Sequence, residues 1–594
     1  MSLIAELKRR KIAQWTLGYA AGAWALLQAI GFMVETYDWP HTVSRIAILV
    51  VAIGFLATLV LAWYHGERGE QHFSRNELLL LAILLVLGGS LAWRTAHAPA
   101  SLASNAVGGH QTNATATNPH SIAVLPFVNM SGDKDNEYFS DGISEEILNV
   151  LARIPELQVA ARTSSFAFKD GRKEVPEIAR ELKVRMVLEG SVRKQGMRVR
   201  ITAQLIDSSN GFHVWSQTYD RDLKDIFAIQ DEIAKAIADE LKVKLGAAIA
   251  PKASSTGTRN IKAYDLYLRG LALWQLRREN SLWQAIDLFE RAVASDPEFA
   301  QAYAGQALVY AVVADYSVRI SYLEAVTRAQ DYAERANALD PTLPEPYAVL
   351  GQVAARQLRR ETAEALFRRA IALRPSFATA HQWRGTALMA AGKLEPALVS
   401  AERSSTLDPL SRVIASNHSQ VLLALGRYAE ANAECERALR FAPDAFTCLD
   451  NKAFGELLLG HFDAARPLLK RFAEITNPSA ATQVGELVDA LQGHGDRHAL
   501  ALRLAAFTVQ SAYQPGSGNV FESYERPALL ILLGEPKLAL ALLERLVGED
   551  GSYADWAVMM PALDPIRCDP RFVAVVKQLK TFDPHYAKVC GGRP

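Results

Sequence analysis

The C-terminal half of the chain repeats itself. Pro341, Pro375, Pro409 and Pro443 recur every 34 residues, and Pro297 lies one longer interval, 44 residues, before Pro341. Numbering each repeat so that this proline is position 32 brings small residues into register. Position 20 is Ala285, Ala329, Ala363, Ala397, Ala431 and Ala465, and position 27 is Ala292, Ala336, Ala370, Ser404 and Ala438. Position 8 includes Ala307, Gly351, Gly385 and Ser419, while Phe289 and Phe367 share position 24. A unit this short cannot bury a hydrophobic face alone, so a fixed period requires neighbours to stack into a solenoid with one continuous core. Six units cover about residues 261–478, and the ten extra residues before Pro341 are expected in the turn around Val312–Ser321.

The pattern resembles the tetratricopeptide repeat. That resemblance implies a superhelix of helix pairs whose first helices line a concave groove. The groove positions implied here are Glu345, Gln352, Arg356, Gln382, Thr386, Met389, Gln420, Asp450 and Phe454. A mixed polar and apolar lining suits an extended or helical segment of a protein or peptide partner. The lining lacks the Lys/Asn set that grips a terminal carboxylate in chaperone-binding relatives. Beyond Asn477 the register weakens, and residues 479–594 are expected as a helical cap with repeat-like helices.

The N-terminal 94 residues read differently. Uncharged runs at 12–34, 46–64 and 78–93 are long enough, the third marginally, to cross a ~30 Å hydrocarbon core as helices. Trp39, Trp63, Tyr64 and Trp93 sit near their ends, as interfacial aromatics do. Lys8, Arg9, Arg10 and Lys11 in the tail and Arg68 and Arg75 in the second loop, against Arg45 alone in the first, place the N-terminus in the cytoplasm. The expectation is a three-span, multi-pass protein of a bacterial inner membrane, contacting the bilayer through residues 12–93, with residues 95–594 in the periplasm. Residues 95–120, free of Asp, Glu, Lys and Arg, read as a flexible linker.

Residues 121–245 alternate strand and helix signals. Ser121–Phe127 suits a buried strand, followed by a helix carrying Ile143, Ile147, Leu148 and Leu151 on one face. Glu156–Ala160 and Met186–Val192 read as strands around a helix at Val175–Leu182. Arg198–Leu205 alternates strictly, and Asn210-Gly211 turns it into Phe212–Tyr219. A closing helix carries Ile226, Ile229, Ile233, Ile237 and Leu241. The stretches SIAVLPFVNMSGDKDNEYFSDGISEEILNVLARI, ARTSSFAFK and VLEGSVRKQGMRVRITAQLIDSSNGFHVWSQTYDRDLKDIFAIQDEIA resemble the TolB amino-terminal-like domain of many proteobacterial signalling proteins. ELKRRK before the first run, and MMPALDPIRCDPRF near the end, resemble the membrane-anchored, repeat-bearing members of that group. Some of those relatives carry a class III adenylate cyclase domain, and the cyclase name spreads to members without one. Residues 246–260 read as a second linker. The fold class is thus multidomain: N-terminal transmembrane helices, a small α/β domain and a C-terminal all-α tetratricopeptide-repeat solenoid.

Candidate chemistry is sparse. There is no Walker loop, His-Glu-x-x-His or Gly-x-Ser-x-Gly. Asp133, Asp135 and Glu137 alternate as in a calcium loop, but Tyr138 and Ser144 stand where Gly and Glu are needed. His65 and His72 alone would bind a metal weakly. Cys435 and Cys448 read as core thiols, and Cys568 and Cys590 leave a disulfide open. Glu145-Glu146 and Asp239-Glu240 are expected on solvated helix faces. With 64 Lys+Arg against 64 Asp+Glu, the chain lacks the basic excess of a general nucleic-acid binder. The reading is a non-enzymatic scaffold or adaptor with no catalytic, cofactor or metal site. A sensory or regulatory subunit is the alternative, an adenylate-cyclase-like enzyme is disfavoured, and self-association into a homo-oligomer stays open.

Overall fold

The computed structural model describes Ala23, Val51 and residues 118–591, apart from 134–135, 155, 170, 172, 223–224, 246–256, 318, 477, 479–480, 509–524 and 551–553. No helix among the described residues is long and apolar enough to cross a membrane. This corrects the expected N-terminal transmembrane helices and the multi-pass inner-membrane location. Apart from Ala23 and Val51, the runs at 12–34, 46–64 and 78–93 lie outside the described residues. Residues Ala116–Pro594 form one compact unit, in which the α/β region and the helix pairs share a hydrophobic core.

The α/β region holds strands β1 (Ser121–Val124), β2 (Val128–Asn129), β3 (Gln158–Val159), β4 (Met186–Gln195), β5 (Arg198–Asp207) and β6 (Phe212–Asp222). They form one sheet in the order β3-β1-β4-β5-β6, with β2 also pairing β4. β1 runs parallel to β3 and β4, and β4, β5 and β6 form an antiparallel meander with Met186 opposite Asp207 and Gln195 opposite Arg198. Pro126, which has no N–H to give a ladder, separates β1 from β2 along β4. Four helices accompany the sheet: α1 (Glu137–Leu151), α2 (Arg162–Phe166), α3 (Val175–Leu182) and α4 (Ile226–Leu245). α1 buries Phe139, Ile143, Ile147 and Leu151, which recur at helical spacing. The short β2 and α2 carry too few residues to show a period, and neither was expected.

The repeats fold as helix pairs: α5/α6 (Ile261–Gln275, Glu279–Ser295), α7/α8 (Ala300–Val313, Tyr322–Leu339), α9/α10 (Pro344–Arg356, Arg360–Leu373), α11/α12 (Ala378–Ala390, Leu394–Leu407), α13/α14 (Arg412–Ala424, Tyr428–Leu439) and α15/α16 (Phe446–Leu458, Phe462–Thr476). The position-20 alanines are all sealed from solvent, none more than 1% exposed. Phe289 fits between Gly270 and Gly305, and the Phe367 ring faces Gly351 at 2.9 Å from where a Cβ would stand. In the first four pairs the repeating proline ends the second helix by forcing the residue before it out of the α region. Asp296, Asp340, Arg374 and Asp408 accordingly have φ of −149, −143, −143 and −137°. The long interval before Pro341 is divided between the loop 314–321 and α8, which has 18 residues against 14 in α10.

The solenoid continues into α17 (Ala481–Leu491), α18 (Arg497–Ala505), α19 (Arg526–Leu532), α20 (Pro536–Asp550), two 3-10 turns (Ala557–Met559, Pro561–Ile566), α21 (Pro570–Gln578) and α22 (Tyr586–Cys590). Cys568 and Cys590 are joined in a disulfide, and Cys435 and Cys448 are buried thiols. Arg567 is fully buried, its guanidinium held by Asp564 at 2.8 Å, Asp583 at 2.6 Å and the carbonyls of Val558 and Met560.

The alanine contact yields a direct test. Ala363→Leu puts three extra carbons into a crossing whose only free space is a cavity of about 20 Å³, and is expected to destabilise the folded chain by about 1–3 kcal/mol. A urea titration followed by circular dichroism should show a lowered midpoint. An unchanged midpoint would mean that this crossing is looser than its burial indicates.

Candidate functional site

Two segments outside the repeats grip the solenoid. The α/β region holds the loops that join one helix pair to the next. The Ala161 N–H donates to the Leu407 carbonyl at 2.7 Å. The Ser164 hydroxyl donates to Asp408 at 2.5 Å and accepts from the Leu410 N–H at 2.8 Å. Ser376 donates to the Ala152 carbonyl at 3.2 Å. The C-terminal segment holds the turns within pairs: Thr581 donates to the Ala390 carbonyl at 2.8 Å, and the His585 ring lies 2.9 Å from the Ala424 carbonyl.

A cleft of about 440 Å³ opens on the inner helices. Gln352, Arg356, Gln382 and Thr386 line it, together with Arg277, Asp315, Trp383 and Asn417 from the repeats and Asp555 and Trp556 from the C-terminal segment. Arg356 reaches Asp315 at 3.1 Å and lies 4.8 Å from the Tyr322 ring centroid. Burial works to lower the Arg356 pKa, but the charge of Asp315 and the contact with Tyr322 more than offset it, so the guanidinium is held firmly protonated. Gln382 donates to Asn417 at 2.5 Å, and the Thr386 hydroxyl turns back onto the Trp383 carbonyl at 3.0 Å. Glu345 lines a separate cavity of about 460 Å³ between the α/β region and the repeats, where it pairs with Arg374 at 2.5 Å.

Four expected contacts are placed elsewhere. Met389 and Phe454 are 0% and 2% exposed and belong to a hydrophobic core that also holds the helices after residue 479, so neither is open to a partner. Asp450 is buried, and Gln420, also buried, accepts from the Asn417 amide at 3.1 Å. These four are corrected from partner contacts to interior residues. Arg277 and Asp315 were missed. Arg277 is position 12 by count but stands in the turn after the first helix, which ends at Gln275, and Asp315 lies in the inserted loop, outside any period. Asp555 and Trp556 come from a segment with no repeat register.

The expectation for Glu145-Glu146 is also corrected. Both face the repeats rather than solvent: Glu145 is buried and pairs with Arg162 at 2.7 Å, and both line the 460 Å³ cavity. Burial, opposed by Arg162, raises the Glu145 pKa, while burial and the adjacent Glu145 push Glu146 up to about 7. Asp408 is pushed up to about 6 by burial, against the hydrogen bonds from Ser164. Asp239 is exposed as expected. Among the described residues no group of three or more His, Cys, Asp or Glu is placed to hold a metal ion.

No family model matches the chain. A curated protein named putative adenylate cyclase 3, from Rhizobium meliloti (strain 1021), is 39% identical over 245 residues, which are 41% of this chain and 42% of that protein. The chain therefore spans less than half the length of this relative. Among solved structures, YrrB, described as a TPR protein with an unusual peptide-binding site, is similar at 18% identity and a TM-score of 0.24, covering 32% of this chain and 92% of its own. A thermophilic TPR protein of Thermus thermophilus gives 24% and 0.28, covering 33% and 98%. PilW, a type IV pilus biogenesis factor, gives 19% and 0.28, covering 35% and 93%. The assignment of a tetratricopeptide-like solenoid rests on the helix pairs and their sealed alanines described above.

The titrations set a sign. Glu146 and Asp408 have folded pKa values above those of the unfolded chain. Their contribution to stability is therefore fully present below about pH 4 and is lost as pH rises through about 6 to 7. Docking of the α/β region onto the repeats should be tighter at pH 5.5 than at pH 7.5, read as a higher melting temperature and larger amide-exchange protection factors, corrected for the intrinsic rate at each pH, at Ala161 and Leu410. Glu146→Gln combined with Asp408→Asn should flatten that dependence. A double variant with the wild-type pH profile would show that other groups set it.

Proposed function

We propose that the chain is a non-enzymatic scaffold or adaptor that holds a segment of a protein partner in the cleft. The observation that carries this is the convergence of Gln352, Arg356, Gln382 and Thr386 on one concave surface, with amides, a guanidinium and Trp383 side by side. Main-chain groups of an extended segment need such dispersed donors and acceptors, and its side chains need apolar contact between them. Glu345, beside the same path in the second cavity, is a further proposed contact. We read residues 121–245 as a TolB-like module that supports one rim of the cleft. A peptide-binding site is named for YrrB, and the present reading rests on this chain's own lining.

The name of the Rhizobium meliloti relative gives a reading of another class. The matched residues are 42% of that protein, so its name need not describe the shared part. The full-length chain is expected to form no cyclic nucleotide from ATP or GTP with magnesium or manganese. Turnover that co-purifies with the chain and tracks its concentration would sink the scaffold reading.

The scaffold reading is tested by site-specific photo-crosslinking in the full chain within its native cells. A photoreactive residue at Thr386 or Gln352 should trap a discrete protein that the same residue at Glu361, exposed on α10, does not. Identical products from all three sites would remove the cleft as the binding face.

A further inference from the structure

We propose that the cavity between the α/β region and the repeats binds a small organic monocarboxylate through Arg153, and that this ligand fastens the two parts together. The site is separate from the cleft and independent of what occupies it.

The cavity has the size and the walls of a ligand pocket. Its volume of about 460 Å³ lies within the ~300–1,000 Å³ of small-molecule sites, which favour junctions between packed units. Leu148 on α1, Leu271 on α5, Leu308 on α7 and Phe377 before α11 form an apolar part of the lining, suited to a hydrocarbon body. The polar part carries five arginines against four carboxylates, one positive charge in excess when all are ionised. A monocarboxylate balances that excess. A phosphate monoester, with a charge of about −1.5 to −2 at neutral pH, would outweigh it.

Three of the four carboxylates already have partners. Glu145 pairs with Arg162 at 2.7 Å, Glu345 pairs with Arg374 at 2.5 Å, and Asp408 accepts from Ser164 at 2.5 Å. Arg153 is left over. Its charge acts to lower the pKa of Glu146, yet among the described residues its side chain makes no ion pair and no hydrogen bond. Its Nε is buried without a partner. Arg374 is 7% exposed, and its Nε is likewise buried with no acceptor. An N–H withdrawn from water and left unbonded costs free energy, which an incoming acceptor returns. A guanidinium takes a carboxylate through two parallel hydrogen bonds, so a carboxylate is the acceptor that suits this donor.

The two unsatisfied nitrogens come from opposite sides of the junction. Arg153 follows α1 of the α/β region, and Arg374 stands between α10 and α11 of the repeats. The hydrogen bonds of the Ala161 and Leu410 N–H groups cross the same junction. A molecule lodged between the two sides binds the docked form, and a ligand that binds one state stabilises that state as its concentration rises above Kd.

The test uses the full chain and three acids, phenylacetate, indole-3-acetate and hexanoate, each beside its amide, with phenyl phosphate as the dianion. Binding is read by melting temperature and by isothermal titration calorimetry. At least one acid should raise the melting temperature saturably and bind at least tenfold more tightly than its amide. Arg153→Gln should weaken that acid at least tenfold and leave the amide unchanged. Arg153→Lys, which keeps the charge at the end of α1 but not the planar fork, should recover part of the affinity. Arg193→Gln, exposed on β4, should bind as wild type does. In the wild-type chain the acid should also raise amide-exchange protection at Ala161 and Leu410, a reading that needs no variant to fold. The inference is overturned if acid and amide bind alike, or if Arg153→Gln keeps full affinity. It is equally overturned if phenyl phosphate binds more tightly than every acid, if a bound acid leaves those two amides unchanged, or if nothing on the panel binds.

Discussion

Two helices can cross closely only where neither carries a bulky side chain at the crossing, and the position-20 alanines supply that condition in each pair. Every other dimension of the solenoid follows from it. Close crossing lets Phe289 and Phe367 reach across to the glycines of the first helices and fill the space between. The proline at position 32 then ends the second helix, and the extended residue before it sets the direction in which the next pair begins. A pair on its own would leave one face open to water, so the stack is stable only as a stack.

A stack has two rims, and this chain uses both. The α/β region is tied to the loops between pairs by the Ala161, Ser164 and Ser376 hydrogen bonds, and its helix α1 contributes to the same core as α5. The C-terminal segment is tied to the turns inside pairs, and Arg567 holds it in shape. A buried guanidinium is tolerable there because two carboxylates and two carbonyls surround it.

The concave surface is accordingly shorter than a bare solenoid would offer. In its later part Met389 and Phe454 are buried in the core, and the inserted loop brings Asp315 into its earlier part. The site is made by three separated stretches of sequence. Its polarity follows from which ion pairs close: Arg356 with Asp315, Arg374 with Glu345.

Local rules in the sequence determined the helix pairs, their register, the strict alternation of β5 and the burial of Cys435 and Cys448. All of these depend on a side chain's neighbours at short, fixed spacing, and a period of 34 or of two residues records that directly. Apolar run length led to an expectation of three membrane spans, whereas no helix among the described residues is long and apolar enough to cross a membrane. Tertiary structure alone decided which helix faces stay open. Glu145 and Glu146 lie on a face of α1 that any helical wheel would assign to water, and they are covered because the repeats dock there. Met389 and Phe454 stand at groove positions and are interior, in a core that also takes in residues far along the chain. Contacts between residues hundreds of positions apart leave no local pattern, so exposure at the site was settled only by the fold.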